Sequence, residues 1–344
     1  MTFDPSAAAA PGSGAFGLPP GPPNSPETAR VVLVPVGFEA TCSFGGGTAG
    51  GPAAILEASR QVDLFDVETG RPYEGGIAML EPDPRVEAWN ERALERARPV
   101  IEAGGAGDDP ALREAAAEVD EAGAAVNAWL DGVVEPLLAR GALVGVVGGD
   151  HSVPFASIRA HARRWPGLGV LHVDAHADLR VAYEGLRWSH ASIMDNVLRA
   201  VPEVARLVGV AYRDLSEEEH ERCRTDPRIA AFPEVALRRR LLGGEPWLAV
   251  ARDIVGRLPE HVYVSFDIDG LDPALCPHTG TPVPGGLSWA EATALLAEVV
   301  ASGRRIVGFD LCEVTPDPTG GGWDENVGAR LLYKLIGFAL ASRA

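Results

Sequence analysis

The sequence predicts an α/β protein: a doubly wound, parallel sheet with helices on both faces. Two observations carry this. From Val31 onward, short runs of Val, Ile and Leu alternate with longer amphipathic stretches, and most of the runs are apolar at successive positions rather than at every second one. Alternating strand and helix patterns imply parallel strands joined by crossovers, and strands apolar on both faces belong to a sheet covered from each side. Taken in order, the candidate strands are 31–36 (VVLVPV), 62–67 (VDLFDV), 142–147 (ALVGVV), 168–173 (LGVLHV), 205–210 (ARLVGV), 228–232 (RIAAF), 262–268 (VYVSFDI) and 304–311 (RRIVGFDL), eight in all. The spacers hold helical patterns, clearest over 110–139, 154–164, 247–258, 288–300 and 326–341. Several of them open on Pro or Ser, residues suited to a first helical turn.

No linker interrupts 31–344, so that stretch reads as one domain. Residues 1–30 carry seven prolines with Ala, Gly and Ser and almost nothing large to bury, and are expected to form a flexible arm. The chain has 344 residues and is 46% hydrophobic, enough for a large core. Its 30 Lys and Arg against 48 Asp and Glu give a net charge of −18. With scattered arginines and a single lysine, Lys334, it offers no basic face to nucleic acid. The acidic field favours cationic ligands or metal ions instead. No membrane partner is expected either, because no run of eighteen apolar residues could span a bilayer. The N-terminus lacks the layout of a secretory signal, so the expectation is a soluble, cytoplasmic protein. The four cysteines are far apart without CxxC spacing, which argues against a zinc ribbon or a disulfide framework.

In a doubly wound sheet ligands bind beyond the carboxyl ends of the strands, so polar residues just after apolar runs deserve inspection. Four such places occur: Gly148-Gly149-Asp150-His151-Ser152, Asp174-Ala175-His176-Ala177-Asp178, Asp267-Ile268-Asp269-Gly270, and Cys312-Glu313. In extended chain, residues two apart point to one side, so Asp174, His176 and Asp178 converge, as do Asp267 and Asp269. Such a cluster would repel itself unless cations held it together. With His151 it offers two imidazoles and four carboxylates, a set suited to two ions sharing bridging carboxylates. Oxygen-rich donors without thiolate favour two Mn²⁺ per chain over Zn²⁺, with Ni²⁺ or Co²⁺ as alternatives. His172, inside an apolar strand, reads as a satisfied buried imidazole rather than a third ligand. The glycine loop 45–51 lacks the Lys-Ser/Thr ending of a phosphate cradle.

At these residues the chain resembles the ureohydrolase family of arginases and agmatinases, whose motifs GGDHS (148–152), DAHAD (174–178), SFDIDGLDP (265–273), TGTPVPGGL (279–287) and GFDLCEV (308–314) match in order. The resemblance implies a three-layer α/β/α fold around an eight-stranded parallel sheet, a binuclear Mn²⁺ centre, trimers or hexamers, and hydrolysis of a guanidinium to urea and an amine. Carried over by position, His151, Asp174, His176, Asp178, Asp267 and Asp269 look like the metal ligands, with Asp178 counted also among the catalytic groups. His190 falls where the family places a proton-shuttling histidine. Glu313 matches the carboxylate that pairs with the guanidinium, and Thr281 the hydroxyl near it; His278, near the expected mouth, is a further candidate substrate contact.

Arginases follow the second carboxylate of the DxHxD motif with side chains that grip the α-carboxylate of arginine. Here that stretch reads Leu179-Arg180-Val181-Ala182-Tyr183-Glu184, and the grip is missing. Agmatine to putrescine is therefore the expected reaction. The alternatives are 4-guanidinobutyrate, aminopropylagmatine, guanidine or arginine as substrate, a zinc-type deacetylase of acetylated amines, or a non-catalytic relative. Arg180 complicates an amine tail unless Glu184 or another acid neutralises it.

Overall fold

The computed structural model of the chain describes residues 3–10 and 12–343. Among them run β1 (Val31–Val36), α1 (Gly51–Ser59), β2 (Ile77–Met79), α2 (Pro84–Glu102), α3 (Pro110–Ala139), β3 (Leu143–Gly148), α4 (Phe155–Arg164), β4 (Leu168–Val173), α5 (Ile193–Ala200) and β5 (Val204–Val210). Then follow α6 (Glu217–Thr225), β6 (Ile229–Phe232), α7 (Glu234–Leu242), α8 (Trp247–Gly256), β7 (His261–Asp267), α9 (Trp289–Ala301), β8 (Arg305–Cys312) and α10 (Trp323–Ala341). The eight strands form one sheet in the order β2-β1-β3-β8-β7-β4-β5-β6, and every neighbouring pair is parallel.

The expected two-sided burial is observed. Val31 and Leu33 of β1 join a core with Ile55, Ile254, Leu295 and Leu332 from α1, α8, α9 and α10. Val34 and Val36 of the same strand point to the opposite face, against Val100, Leu130 and Ala160 from α2, α3 and α4. Local chemistry sets the helix starts. Asp109 accepts from the backbone of Ala111 ahead of α3, and Ser288 with Glu291 makes a reciprocal capping box at α9.

The strand order has a functional consequence. β3, β8, β7 and β4 are the four central strands and lie side by side, and each is followed by one of the four polar motifs. The motifs therefore meet at one edge of the sheet although they span much of the chain.

The structure departs from expectation in two places. Residues 62–67 are not a strand: Leu64 is buried, but Phe65 and Val67 are exposed, and Asp66 closes a turn by accepting from the backbone of Thr69. The strand pairing with β1 at the sheet edge is β2, three residues too short to register as a periodic pattern. The N-terminal segment also holds more to bury than its composition suggests. Ala15, Phe16 and Leu18 are buried, the Phe16 ring lies 4.8 Å from that of Tyr333, and its backbone N–H donates to Ser59 Oγ at 2.9 Å. Among the described residues, no helix is long and apolar enough to cross a membrane.

Candidate metal centre and substrate pocket

Each motif turns sharply as it leaves its strand. A side chain at Gly149 would collide with the backbone of Phe38, so only glycine lets the chain pass from β3 to His151. The His151 backbone N–H then donates to Glu313 Oε1 at 2.8 Å, tying the ends of β3 and β8 together. Asp178 and Glu313 adopt positive φ, at 54° and 65°, a conformation that costs energy in non-glycine residues and is held here by tertiary contacts. Beyond β7, Asp267 accepts from the backbone of Asp269, and Asp269 accepts from that of Ala175, both at 2.9 Å, which locks the β7 motif to the β4 motif.

The six expected ligands converge in two lobes. His151 Nδ1 lies 3.0, 3.2 and 3.3 Å from the Oδ2 atoms of Asp174, Asp178 and Asp267. His176 Nδ1 lies 3.4 Å from Asp174 Oδ1 and 3.1 Å from Asp269 Oδ2. Asp174 thus offers one oxygen to each lobe. On the far side of the His151 ring, Nε2 is 2.9 Å from Ser265 Oγ, which donates to Asp310 Oδ1 at 3.1 Å. With the serine proton committed to Asp310, Nε2 donates to Ser265 Oγ, which leaves Nδ1 as the nitrogen that faces the carboxylates.

The electrostatics of this arrangement call for positive charge. Burial, and then the neighbouring charge of Asp174, lift Asp178 to about 6, and burial with Asp269 and Asp174 raises Asp267 well above the usual carboxylate range. Burial opposes protonation of both imidazoles. The carboxylates outweigh it, raising His151 well above its ordinary value and taking His176 to about 12. Asp178 Oδ2, buried among these groups, has no hydrogen-bond partner among the described residues. The ligand atoms of Asp174, His176 and Asp269 lie within 4.8 Å of one another, as do those of His151, His172, Asp174 and Asp178, so Asp174 belongs to both groups. A buried His and Asp cluster of this composition fits divalent metal ions.

A cavity of about 320 Å³ opens beside the cluster, lined by His176, Asp178, His190, Thr281, Arg180 and Asp214, among others. His190 is buried, its ring nitrogens 3.5 Å from Thr41 Oγ1 and Ser43 Oγ, and burial holds it below its ordinary value. Thr281 Oγ1 lies 3.5 Å from Asp269 Oδ2. Glu313 does not line the cavity itself. It sits under Gly280, where a Cβ would come within 2.8 Å of Oε2. That oxygen is buried without a hydrogen-bond partner among the described residues, and burial with the charges of Asp267 and Asp150 raises Glu313 well above its usual range.

His278 is placed elsewhere. Its backbone and ring both donate to Asp324, at 3.0 and 2.9 Å, so it pins the pocket loop to α10 and is not among the cavity's lining residues. Arg180 is neutralised as expected, but by Glu219 at 3.4 Å rather than by Glu184, and its guanidinium lies over the Tyr183 ring at 4.7 Å. Sequence reasoning missed Asp214, Glu219, Ser43 and Phe44 on the pocket wall. Only Glu219 left a local signal, as the third helical residue of the Ser216 capping box.

Comparison with known proteins agrees with this geometry. A model of the arginase family matches residues 29–337. The N(1)-aminopropylagmatine ureohydrolase of Thermus thermophilus is 34% identical over 312 residues, 90% of each chain. The protein of the same name from Synechocystis is 30% identical over 312 residues, 90% of this chain and 89% of that one. Among solved structures, the proclavaminate amidino hydrolase of Streptomyces clavuligerus shares the fold with a TM-score of 0.71 at 23% identity, covering 98% of this chain and 100% of that one.

Proposed function

Because the chain belongs to the arginase family and is a hydrolase of guanidino compounds, we propose that its substrate is an amine-tailed guanidine of the agmatine type, with aminopropylagmatine its longer form. The observation that carries this reading is the state of Arg180, the one arginine or lysine among the described residues that line the cavity. Arg180 is already committed to Glu219 and Tyr183, while Asp214 lines the same cavity with no ion pair among the described residues. A wall of that charge suits an ammonium tail, and a carboxylate tail would meet Asp214 without a free partner. The relatives matched along 90% of the chain bear the name of aminopropylagmatine ureohydrolases, which supports a tail with a second amine.

The residues divide the work as follows. His151, Asp174, His176, Asp178, Asp267 and Asp269 would hold two divalent ions, Mn²⁺ by the hardness of the oxygen-rich donor set, with Ni²⁺ or Co²⁺ as alternatives. When bound, such ions supply the Lewis acidity that makes water nucleophilic at neutral pH. Glu313 Oε2, unpartnered and buried, is the acceptor for the guanidinium N–H groups, which fixes the central carbon over the cluster. His190, buried at the cavity wall, passes a proton to the departing amine.

A panel of guanidino compounds scored for urea release tests the reading. Agmatine and aminopropylagmatine should be turned over with kcat/KM at least about a hundredfold above arginine, whose α-carboxylate finds no partner. Urea from 4-guanidinobutyrate with none from agmatine would show that Arg180 leaves Glu219 to read a carboxylate, and would overturn the amine-tail assignment.

A further inference from the structure

Arg213 follows β5, directly before the cavity-lining Asp214, and forms no ion pair among the described residues. Its guanidinium goes to backbone carbonyls instead. Nη2 donates to Asp269 O at 2.6 Å and to Val283 O at 2.9 Å, with Leu271 O at 3.3 Å. Nη1 donates to Ala211 O at 3.2 Å, and Nε to Val283 O at 3.3 Å. A planar, rigid fork fixes the spacing of the groups it grips, so an arginine that binds carbonyls rather than any of the 48 acids of the chain serves geometry and not charge balance.

The two carbonyls closest to Nη2 belong to functional elements. Asp269 is one of the six candidate ligands, and Val283 lines the cavity. Little else holds that wall. Residues 281–285 make no backbone–backbone hydrogen bond among the described residues, and Pro282 and Pro284 have no N–H to offer. The Thr281 hydroxyl contact with Asp269, at 3.5 Å, is long for a hydrogen bond. Arg213 is itself anchored: its N–H and that of Asp214 donate to Ala175 O at 2.7 and 3.1 Å, while Ala175 N–H donates to Asp269 Oδ1 at 2.9 Å. A closed ring results, in which Ala175 holds the Asp269 carboxylate and Arg213 holds the Asp269 carbonyl.

We infer that Arg213 is a positioning residue that sets the tail-binding wall of the pocket, Asp214 and Val283, at a fixed distance from Asp269 and its ion. That distance decides which tail length reaches Asp214 while the guanidinium stays over the cluster. Arg213 does not line the cavity, so it acts through the residues it holds. The inference rests on the amine-tail reading of the pocket and the two-ion reading of the cluster.

The test combines a Mn²⁺ titration of chelator-stripped protein, with bound ions counted by equilibrium dialysis, and urea release from agmatine and aminopropylagmatine at saturating Mn²⁺. Arg213→Met should weaken binding of one ion roughly tenfold or more, the usual cost of losing a group that orients a ligand. In the same variant KM for the preferred amine should rise by a similar factor, and the ratio of kcat/KM between the two tail lengths should shrink. Arg213→Lys, which keeps the charge but has a single ammonium in place of the fork, should show both effects in smaller size. Phe16→Ala, which lowers stability far from the pocket, serves as the control and should leave ion affinity, KM and the tail-length ratio unchanged. A lower melting temperature in Arg213→Met with those three quantities at wild-type values, or a change in the ion without one in KM and the ratio, overturns the inference. If Arg213→Met does not fold, Arg213→Lys decides on the same criteria. Wild-type protein that binds a single ion, or releases no urea from either amine, would instead defeat the readings on which the inference rests, results distinct from all of these.

Discussion

Asp174 is where the two lobes of the cluster join, one oxygen toward His151 and the other toward His176. Removing its carboxylate strips an acceptor from both lobes and leaves the remaining charges unbalanced, so Asp174→Ala should lose bound metal and nearly all urea release. Metal analysis by mass spectrometry beside a urea assay checks this; full activity after chelation would exclude a role for the shared carboxylate. His190 acts differently, because it holds no ligand position. His190→Ala should lower kcat about a hundredfold or more with metal content intact, and added imidazole should restore part of the rate. Burial keeps His190 below its ordinary value, so it is uncharged at neutral pH and available to take and return a proton. An unchanged kcat and pH profile would remove it from the proton path.

At the scale of elements, the loop between β7 and α9 carries Thr281 into the pocket and is held from three sides. Gly280 accepts from the backbone of Gly45, Thr279 donates to the Glu313 carbonyl, and His278 grips Asp324. The last of these is titratable. Its hydrogen bond to Asp324 raises His278, burial opposes it, and Asp317 and Glu325 reinforce the shift. A histidine raised on folding contributes stability in full below its unfolded value near 6.5, and that contribution fades as pH climbs through the raised value. The gap in melting temperature between wild type and His278→Ala should therefore be widest in mildly acidic buffer and close in alkaline buffer. A gap that widens with pH would show that the latch does not work through the charged imidazole. The same scale explains the misassigned strand: the 62–67 run has strand-like composition, but only Leu64 is buried while Phe65 and Val67 face solvent, and Asp66 organises a turn.

For the whole molecule, the parallel sheet does more than bury apolar surface. By setting β3, β8, β7 and β4 side by side it gathers an acidic cluster that the chain could not hold locally. The N-terminal segment adds to this body by inserting Phe16 between Ser59 of α1 and Tyr333 of α10. Phe16→Ala should cost about 3 kcal/mol of stability, the low end of the range for a buried Phe, measured by chemical denaturation. No change in the midpoint would mean that the segment contributes nothing to the stability of the domain.

Seven of the eight strands and the residues after the central ones were legible in the sequence, because side-chain burial along a strand and the polar break at its end are local properties. Candidate ligands could be named for the same reason, since alternation along extended chain puts Asp174, His176 and Asp178 on one side, and Asp267 and Asp269 likewise. Tertiary structure alone decided what lies between distant positions. It gave Arg180 to Glu219 and His278 to Asp324, and it set Tyr212 against His172 and Ser265 against His151. Hydrogen-bond partners and tautomers follow from distances between segments tens to more than a hundred residues apart, and no pattern along the chain encodes those distances until the sheet has ordered its strands.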